Sequence, residues 1–137
     1  MARILSIDYG KKRTGLAVTD PLQLIAGGLD TVATHELFDY LVQYVGREQV
    51  ECIVIGEPRQ PNGQPSENLA RVQQFVNRWR KQRPDIPIEY YDERFTSVLA
   101  HQAMLDAGLK KKARQDKALV DEISATIILE DYLRSRK

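Results

Sequence analysis

A chain of 137 residues is the size of one ordinary domain, and 42% hydrophobic against 28% charged residues is the balance of a folded globular chain, not a disordered one. Twenty basic residues face nineteen acidic ones, so a net charge of +1 excludes a uniformly basic nucleic-acid coat but leaves local basic patches open. No apolar run approaches the roughly 18 residues that span a bilayer, the apolar part of the N-terminus is too short for a signal peptide, and the single cysteine, Cys52, excludes an intrachain disulfide or a cysteine-based zinc cluster; a cytoplasmic protein without membrane partners is expected.

Arg3 to Asp8 is dense in aliphatic residues and stops at Tyr9-Gly10, which reads as a buried strand and a turn. Lys11-Lys12-Arg13 forms a basic turn tip, and Thr14 to Thr19 returns as a second strand, antiparallel to the first because the turn is so short. Ile25 to Val32 is a weaker third strand, interrupted by Gly27-Gly28. Thr34 has the chemistry of an N-cap for a helix whose apolar positions are Leu37, Leu41, Tyr44 and Val45. Cys52 to Gly56 is a continuous apolar run, the pattern of a strand covered on both faces. A proline-rich loop from Glu57 to Pro65 leads to Ser66, a cap for a helix with an apolar stripe of Leu69, Val72, Phe75, Val76 and Trp79.

Pro84 and Pro87 end that helix, Ile88 to Tyr91 is a fifth strand, and Asp92-Glu93-Arg94 follows it. Thr96 caps a helix to about Asp106 with Gly108 as its stop, and Ala118 to Leu133 is the last helix. Between them lies a polar, basic segment, residues 108 to 117, expected to be mobile. The order β-β-β-α-β-α-β-α-α, without repeats or linkers, predicts a single α/β domain over residues 1–137. Its mixed five-stranded sheet would open with an antiparallel hairpin, continue with parallel strands and carry helices on both faces.

The acids sit where such a sheet gathers ligands, beyond the carboxyl ends of its strands. Asp8 closes the first strand, Glu57 follows the fourth, and Asp92 and Glu93 follow the fifth. Asp121, in the first turn of the last helix, precedes Ala125, Ile128 and Tyr132 on an otherwise apolar face, so it points towards the sheet; the adjacent Glu122 is the alternative. Carboxylates crowded together repel one another without a counter-charge. Oxygen-only donors suit Mg²⁺ or Mn²⁺, and a pair of such ions can clamp both oxygens of a phosphodiester undergoing displacement. Each acid taken alone has an ordinary explanation, in turn chemistry or in the helix dipole.

Three stretches, Ile7-Asp8-Tyr9-Gly10-Lys11-Lys12-Arg13-Thr14-Gly15-Leu16-Ala17-Val18-Thr19-Asp20, Tyr91-Asp92-Glu93-Arg94-Phe95-Thr96-Ser97 and Val120-Asp121-Glu122-Ile123-Ser124-Ala125, resemble in order the YqgF family, also called RuvX. The resemblance covers essentially the whole chain. It implies an RNase H-like fold and a metal-dependent nuclease with a role in maturing the 5′ end of the small-subunit (16S) ribosomal RNA precursor, hence contact with pre-ribosomal particles. Position by position it makes Asp8, Glu93 and Asp121 the catalytic, metal-holding acids and Arg13 the basic residue of the first turn. Thr96 and Ser97 match the hydroxyl pair after the Asp-Glu-Arg motif. Glu57 departs from the family pattern, which has an apolar residue before the proline; Glu93 is preferred as the second ligand, with Glu57 as an additional or alternative one.

The resulting expectation is a phosphodiesterase for structured RNA or branched DNA with a two-metal Mg²⁺ or Mn²⁺ site. Substrate-binding residues would be Lys11, Lys12, Arg13, Arg94, Thr96, Lys110, Lys111, Lys112 and Arg114, since basic segments beside an acidic site suit a polyanion. The ordinary alternative for the two basic runs is a solvated turn and a solvated loop. Arg71, Arg78, Arg80, Lys81 and Arg83 read mostly as a solvated helix face, Trp79 and Cys52 as core, and Tyr90 and Tyr91 as core or rim. His35 and His101 are too far apart for a metal role. Two rival functions remain. The Asp8-Tyr9-Gly10…Thr14-Gly15 turn also resembles the first phosphate loop of the actin-like ATPases, but those need two such domains. A catalytically silent RNA-binding or ribosome-assembly module would use the same basic patches. Junction resolution would need a symmetric dimer, and the sequence leaves monomer and homodimer open.

Overall fold

The computed structural model describes residues 2–57, 67–92 and 117–135. Its order is β1 (Arg3–Asp8), β2 (Arg13–Thr19), β3 (Ala26–Ala33), a 3₁₀ turn (Thr34–Glu36), α1 (Leu37–Arg47), β4 (Val50–Glu57), α2 (Leu69–Gln82), β5 (Ile88–Asp92) and α3 (Lys117–Ser135). The five strands make one sheet in the order β3-β2-β1-β4-β5. β1, β2 and β3 pair antiparallel, while β1, β4 and β5 run parallel. This is the predicted mixed sheet, and the carboxyl ends of β1, β4 and β5 lie along one edge.

Alternation along the strands divides the core in two. Leu5, Ile7, Leu16, Ile53 and Ile55 face α1 and α2, where they meet Leu37, Phe38, Leu41, Val72, Val76 and Trp79. Ile4, Ala17, Cys52 and Val54 face the other way, against Ala125, Ile128 and Leu129 of α3. Leu5, Ile7, Ile53 and Ile55 are completely buried, each contributing about 1.5–3 kcal/mol. Trp79 is buried with its indole N–H donated to the Ile86 carbonyl at 3.0 Å, so the turn into β5 is tied to α2. Cys52 is buried, as expected. Among the described residues no helix is long and apolar enough to cross a membrane.

Several local expectations are revised. Thr34 does not cap α1, whose N-cap position is Glu36 without a side-chain cap. Its hydroxyl instead donates to the Gly10 carbonyl at 2.7 Å and lies 2.9 Å from the Thr14 hydroxyl. A tertiary partner has won over the local one. β4 extends through Glu57, so that acid is a strand residue and not the start of the following loop. α3 begins at Lys117, which puts Asp121 in the second helical turn, not the first. Ser66, the helix expected over residues 96–106 and the basic segment after it up to residue 116 lie outside the described residues, as does His101, while Lys117 belongs to α3.

Candidate active site

A polar residue buried in the middle of β1 sets the site. Ser6 is fully buried and donates from its hydroxyl to the Ala125 carbonyl of α3 at 2.6 Å. Two residues further along β1, about 7 Å on, is Asp8, on the same face as Ser6. One turn back along α3, about 5 Å away, is Asp121. The helix therefore runs antiparallel to β1, and the two acids come to the same corner of the sheet.

Gly15 makes the close approach possible. It pairs with Asp8 across the hairpin. A Cβ built on it would overlap the Asp121 carbonyl and lie 2.9 Å from the Asp121 Cβ. Only a residue without a side chain lets α3 seat this deeply at this point. Arg13, on the same face of β2 two residues before Gly15, donates from Nε to Asp121 Oδ2 at 2.8 Å. The pair is partly exposed, at 43% for Arg13 and 22% for Asp121. Glu122, the alternative to Asp121, packs over β3 instead, its Cβ 3.4 Å from the Cβ position of Gly28.

The turn that carries Lys11, Lys12 and Arg13 is held at three points. Besides the Thr34 hydroxyl on Gly10, the Thr34 N–H donates to the Lys12 carbonyl at 2.9 Å and the Asn68 amide to the Tyr9 carbonyl at 2.7 Å. Lys11, Lys12 and Arg13 are exposed on this braced turn. Neither Thr34 nor Asn68 stands out from sequence as part of the site. Their role depends on contacts across 24 and 59 residues of chain, which local spacing does not reveal.

Glu57 reaches the same edge but not the same face. It lies two residues beyond Ile55, whose side chain belongs to the α1–α2 core, and alternation turns it away from Asp8. Its charge is felt by Tyr90, which packs on that core; burial raises the Tyr90 hydroxyl above its ordinary pKa, with Arg80 opposing and Glu57 adding to the rise. Tyr91 faces α3 and donates to Asp131 at 2.6 Å. Both tyrosines are half-buried rim residues. Glu93, Arg94, Thr96, Lys110, Lys111, Lys112 and Arg114 lie outside the described residues.

Asp8 and Asp121 are a donor set of oxygens only, of the kind hard divalent cations take, and their shared corner already holds one counter-cation, the Arg13 guanidinium. They fit a divalent ion. Among the described residues no third His, Cys, Asp or Glu completes a ligand cluster.

The RuvX family model, described as a Holliday junction resolvase, matches residues 2–135. The chain belongs to the RuvX family. It is 67% identical over 137 residues to the protein named "Putative pre-16S rRNA nuclease" from Phocaeicola vulgatus, covering all of this chain and 99% of that one. The protein of the same name from Bacteroides fragilis is 61% identical over the same span. Among solved structures, Thermus thermophilus RuvC in complex with its Holliday junction substrate superposes with a TM-score of 0.58 at 18% identity, over 98% of this chain and 96% of that one. At that identity the likeness is one of fold, and it agrees with the RNase H-like sheet expected from the sequence. Family membership makes the chain a nuclease, a hydrolase of nucleic-acid phosphodiester bonds, and nucleic-acid binding comes with that class. RNase H-like nucleases in general use divalent metals.

Proposed function

We propose that this chain is a divalent-metal-dependent nuclease that acts on RNA in 5′-end maturation of the 16S ribosomal RNA precursor. The observation that carries the reading is the shared corner of Asp8 and Asp121, joined through the Ser6–Ala125 hydrogen bond and the Gly15 contact, with a guanidinium beside them. The names of the relatives from Phocaeicola vulgatus and Bacteroides fragilis support the RNA substrate. Mg²⁺ or Mn²⁺ would be held by Asp8, Asp121 and Glu93, with Glu57 as the less favoured ligand. When bound, such ions supply charge neutralisation at the phosphate and acidify the attacking water.

The chain's own residues do the positioning. Asp8 projects from the rigid centre of the sheet and fixes one side of the site. Asp121 brings the second carboxylate from α3. Arg13 has N–H groups besides the one given to Asp121, and they suit a phosphate oxygen. Lys11 and Lys12 extend the positive charge along the braced turn. Arg94, Thr96, Lys110, Lys111, Lys112 and Arg114 complete the expected set of substrate-binding residues. The whole of residues 1–137 would act as one domain in the cytoplasm, on pre-ribosomal particles, as a monomer or homodimer.

The family description favours a second reading, cleavage of branched DNA. One assay decides: purified chain with Mn²⁺, presented with a single-stranded RNA carrying a precursor-like 5′ extension and with a four-way DNA junction. Mn²⁺-dependent cutting of the RNA, lost in Asp8→Asn, is the expected result. Cutting of the junction alone would favour the second reading. Binding without cutting would return the chain to an RNA-binding assembly factor.

A further inference from the structure

The opposite face of the sheet carries a second concavity at the same edge. α2, the start of α1 with the 3₁₀ turn before it, and the β1–β2 turn line an open cavity of about 400 Å³, and the residues that give it its character are Tyr9, Lys11, His35, Arg71, Gln74 and Arg78. Among the described residues no carboxylate lines it. Nor do Lys11, Arg71 and Arg78 make an ion pair with any described residue. Arg78 lies with its guanidinium 3.9 Å from the centre of the Phe38 ring, which holds it in place and leaves its N–H groups available. The Tyr9 ring rests 5.7 Å from Phe75, and burial raises its hydroxyl above the ordinary pKa while the Arg71 charge opposes this. Arg71 and Arg78 are exposed, as expected of a solvated helix face, and both line this cavity.

Three cations brought together with no carboxylate among the described lining residues repel one another, and the arrangement calls for an anion. The volume falls in the roughly 300–1,000 Å³ range of small-ligand sites, and an aromatic ring beside cations suits a base and its phosphate. The position identifies the anion further. Tyr9 directly follows Asp8, and their side chains leave the strand on opposite faces. A chain of phosphates crossing the sheet edge at Asp8 would therefore meet the cavity next.

We propose that this cavity is a second nucleic-acid subsite, taking one unpaired nucleotide of the strand that is held at Asp8 and Asp121. Arg71, Arg78 and Lys11 receive its phosphates, and Tyr9 offers a ring to its base. The inference rests on the nuclease reading and extends it to how the flanking strand is gripped.

The test is fluorescence anisotropy of an end-labelled single-stranded oligoribonucleotide with the full chain, free of divalent metal, over a series of salt concentrations. Arg71→Gln/Arg78→Gln is expected to weaken binding at least tenfold and to flatten the salt dependence by about 0.7 in slope for each phosphate that is no longer neutralised. Arg47→Gln/Lys81→Gln removes the same charge elsewhere and is expected to change affinity less than twofold. Equal losses of affinity in the two double variants, or none in the first, would overturn the subsite. Arg71→Gln alone carries the test should the double variant unfold, because Arg78 also stacks on Phe38. Tyr9→Phe is expected to keep the affinity that Tyr9→Leu forfeits. Displacement of the oligonucleotide by a free nucleoside monophosphate at the oligonucleotide's own dissociation constant would make this a mononucleotide site and overturn the strand assignment. Wild type that cuts RNA with Mn²⁺ while the cavity variants bind normally defeats this inference alone. Wild type that neither binds nor cuts nucleic acid defeats the nuclease reading and this inference together.

Discussion

Arg13 donates from its guanidinium Nε to Asp121 across 2.8 Å, from the hairpin of the sheet to the helix packed on it. A residue suited to hold substrate phosphate thus holds a residue suited to bind metal. The ion pair neutralises part of the negative charge that Asp8 and Asp121 would otherwise bring to one corner. At the proposed metal site a divalent ion and Arg13 would therefore compete for the same carboxylate. Arg13→Gln is expected to tighten Mn²⁺ binding, measured by isothermal titration calorimetry without substrate. The pair is partly exposed, so the effect is limited to about 0.2–1 kcal/mol, up to roughly fivefold in affinity. The same variant should bind RNA more weakly. Unchanged or weaker Mn²⁺ binding would show that the ion pair does not oppose the metal.

Asp8→Asn and Asp121→Asn should each abolish cleavage and leave the fold intact, because neither carboxylate is needed by the two hydrophobic clusters. Loss of a metal ligand costs well over 1.4 kcal/mol of transition-state stabilisation, so less than about a tenth of the activity should remain. Circular dichroism melting checks the fold. A tenth or more of wild-type turnover in either variant would remove that acid from the metal site.

Glu57 and Glu93 are the two candidates for the second ligand of the proposed metal site. The alternation of β4 directs Glu57 to the α1–α2 face, where its charge acts on Tyr90. Glu57→Gln should accordingly reduce cleavage less than Glu93→Gln, compared by initial rates at saturating Mn²⁺. The reverse order would transfer the ligand to Glu57 and require that corner of the sheet to rearrange on binding metal.

The sheet was legible in the sequence because its strands are short, dense runs such as Ile4–Ile7 and Cys52–Gly56, separated by strong turn residues. Asp8 and Asp121 could be nominated from the ends of elements and from the apolar face around Asp121. What the spacing could not show was which face of the sheet each acid takes. That depends on strand register, and it separates Glu57 from Asp8 although both stand at the same edge. Ser6 was readable only as a polar residue inside an apolar strand, and its partner lies 119 residues away. Likewise Arg71 and Arg78 look like any exposed helix charges until the fold brings the first turn and α1 beside them to line one cavity. The signal for Gly15 was the glycine itself, in a strand position where a side chain would normally pack.

Gly15 provides a mechanical test of the site. A methyl group there would strike the Asp121 backbone, which cannot swing aside as a flexible side chain could. Gly15→Ala should destabilise the protein by about 1–3 kcal/mol, the usual range for overpacking. It should also reduce cleavage more than that destabilisation accounts for at a temperature where the variant is folded, because Asp121 is pushed from Asp8. Gly46→Ala is the control. Gly46 lies within α1 with nothing within 4 Å of an added Cβ, so the change should stabilise by about 0.4–1 kcal/mol. Denaturant titrations of the two variants give both values, and a neutral Gly15→Ala would dismiss the close approach of α3 as a structural requirement.

Asp20 organises the connection between β2 and β3. Its Oδ1 accepts the N–H groups of Leu24 and Ile25 at 2.8 Å each, and its Oδ2 accepts that of Leu22 at 3.2 Å. These hydrogen bonds also hold Gln23 in the left-handed region, at φ 59°. The N–H of Ile25 is the main reason the Asp20 carboxyl titrates below its ordinary value, and those of Leu24 and Leu22 add to it. A carboxyl whose pKa is lower in the folded state stabilises fully above its unfolded value, near 3.9, and the stabilisation is lost as the pH falls through the folded value. Asp20→Ala should therefore lower the melting temperature most at neutral pH, with the gap to wild type narrowing below about pH 4. Thermal melts followed by circular dichroism from pH 7 to pH 3 read this difference directly. A gap that stays constant or widens as acid is added would mean that the carboxylate charge contributes nothing to the turn.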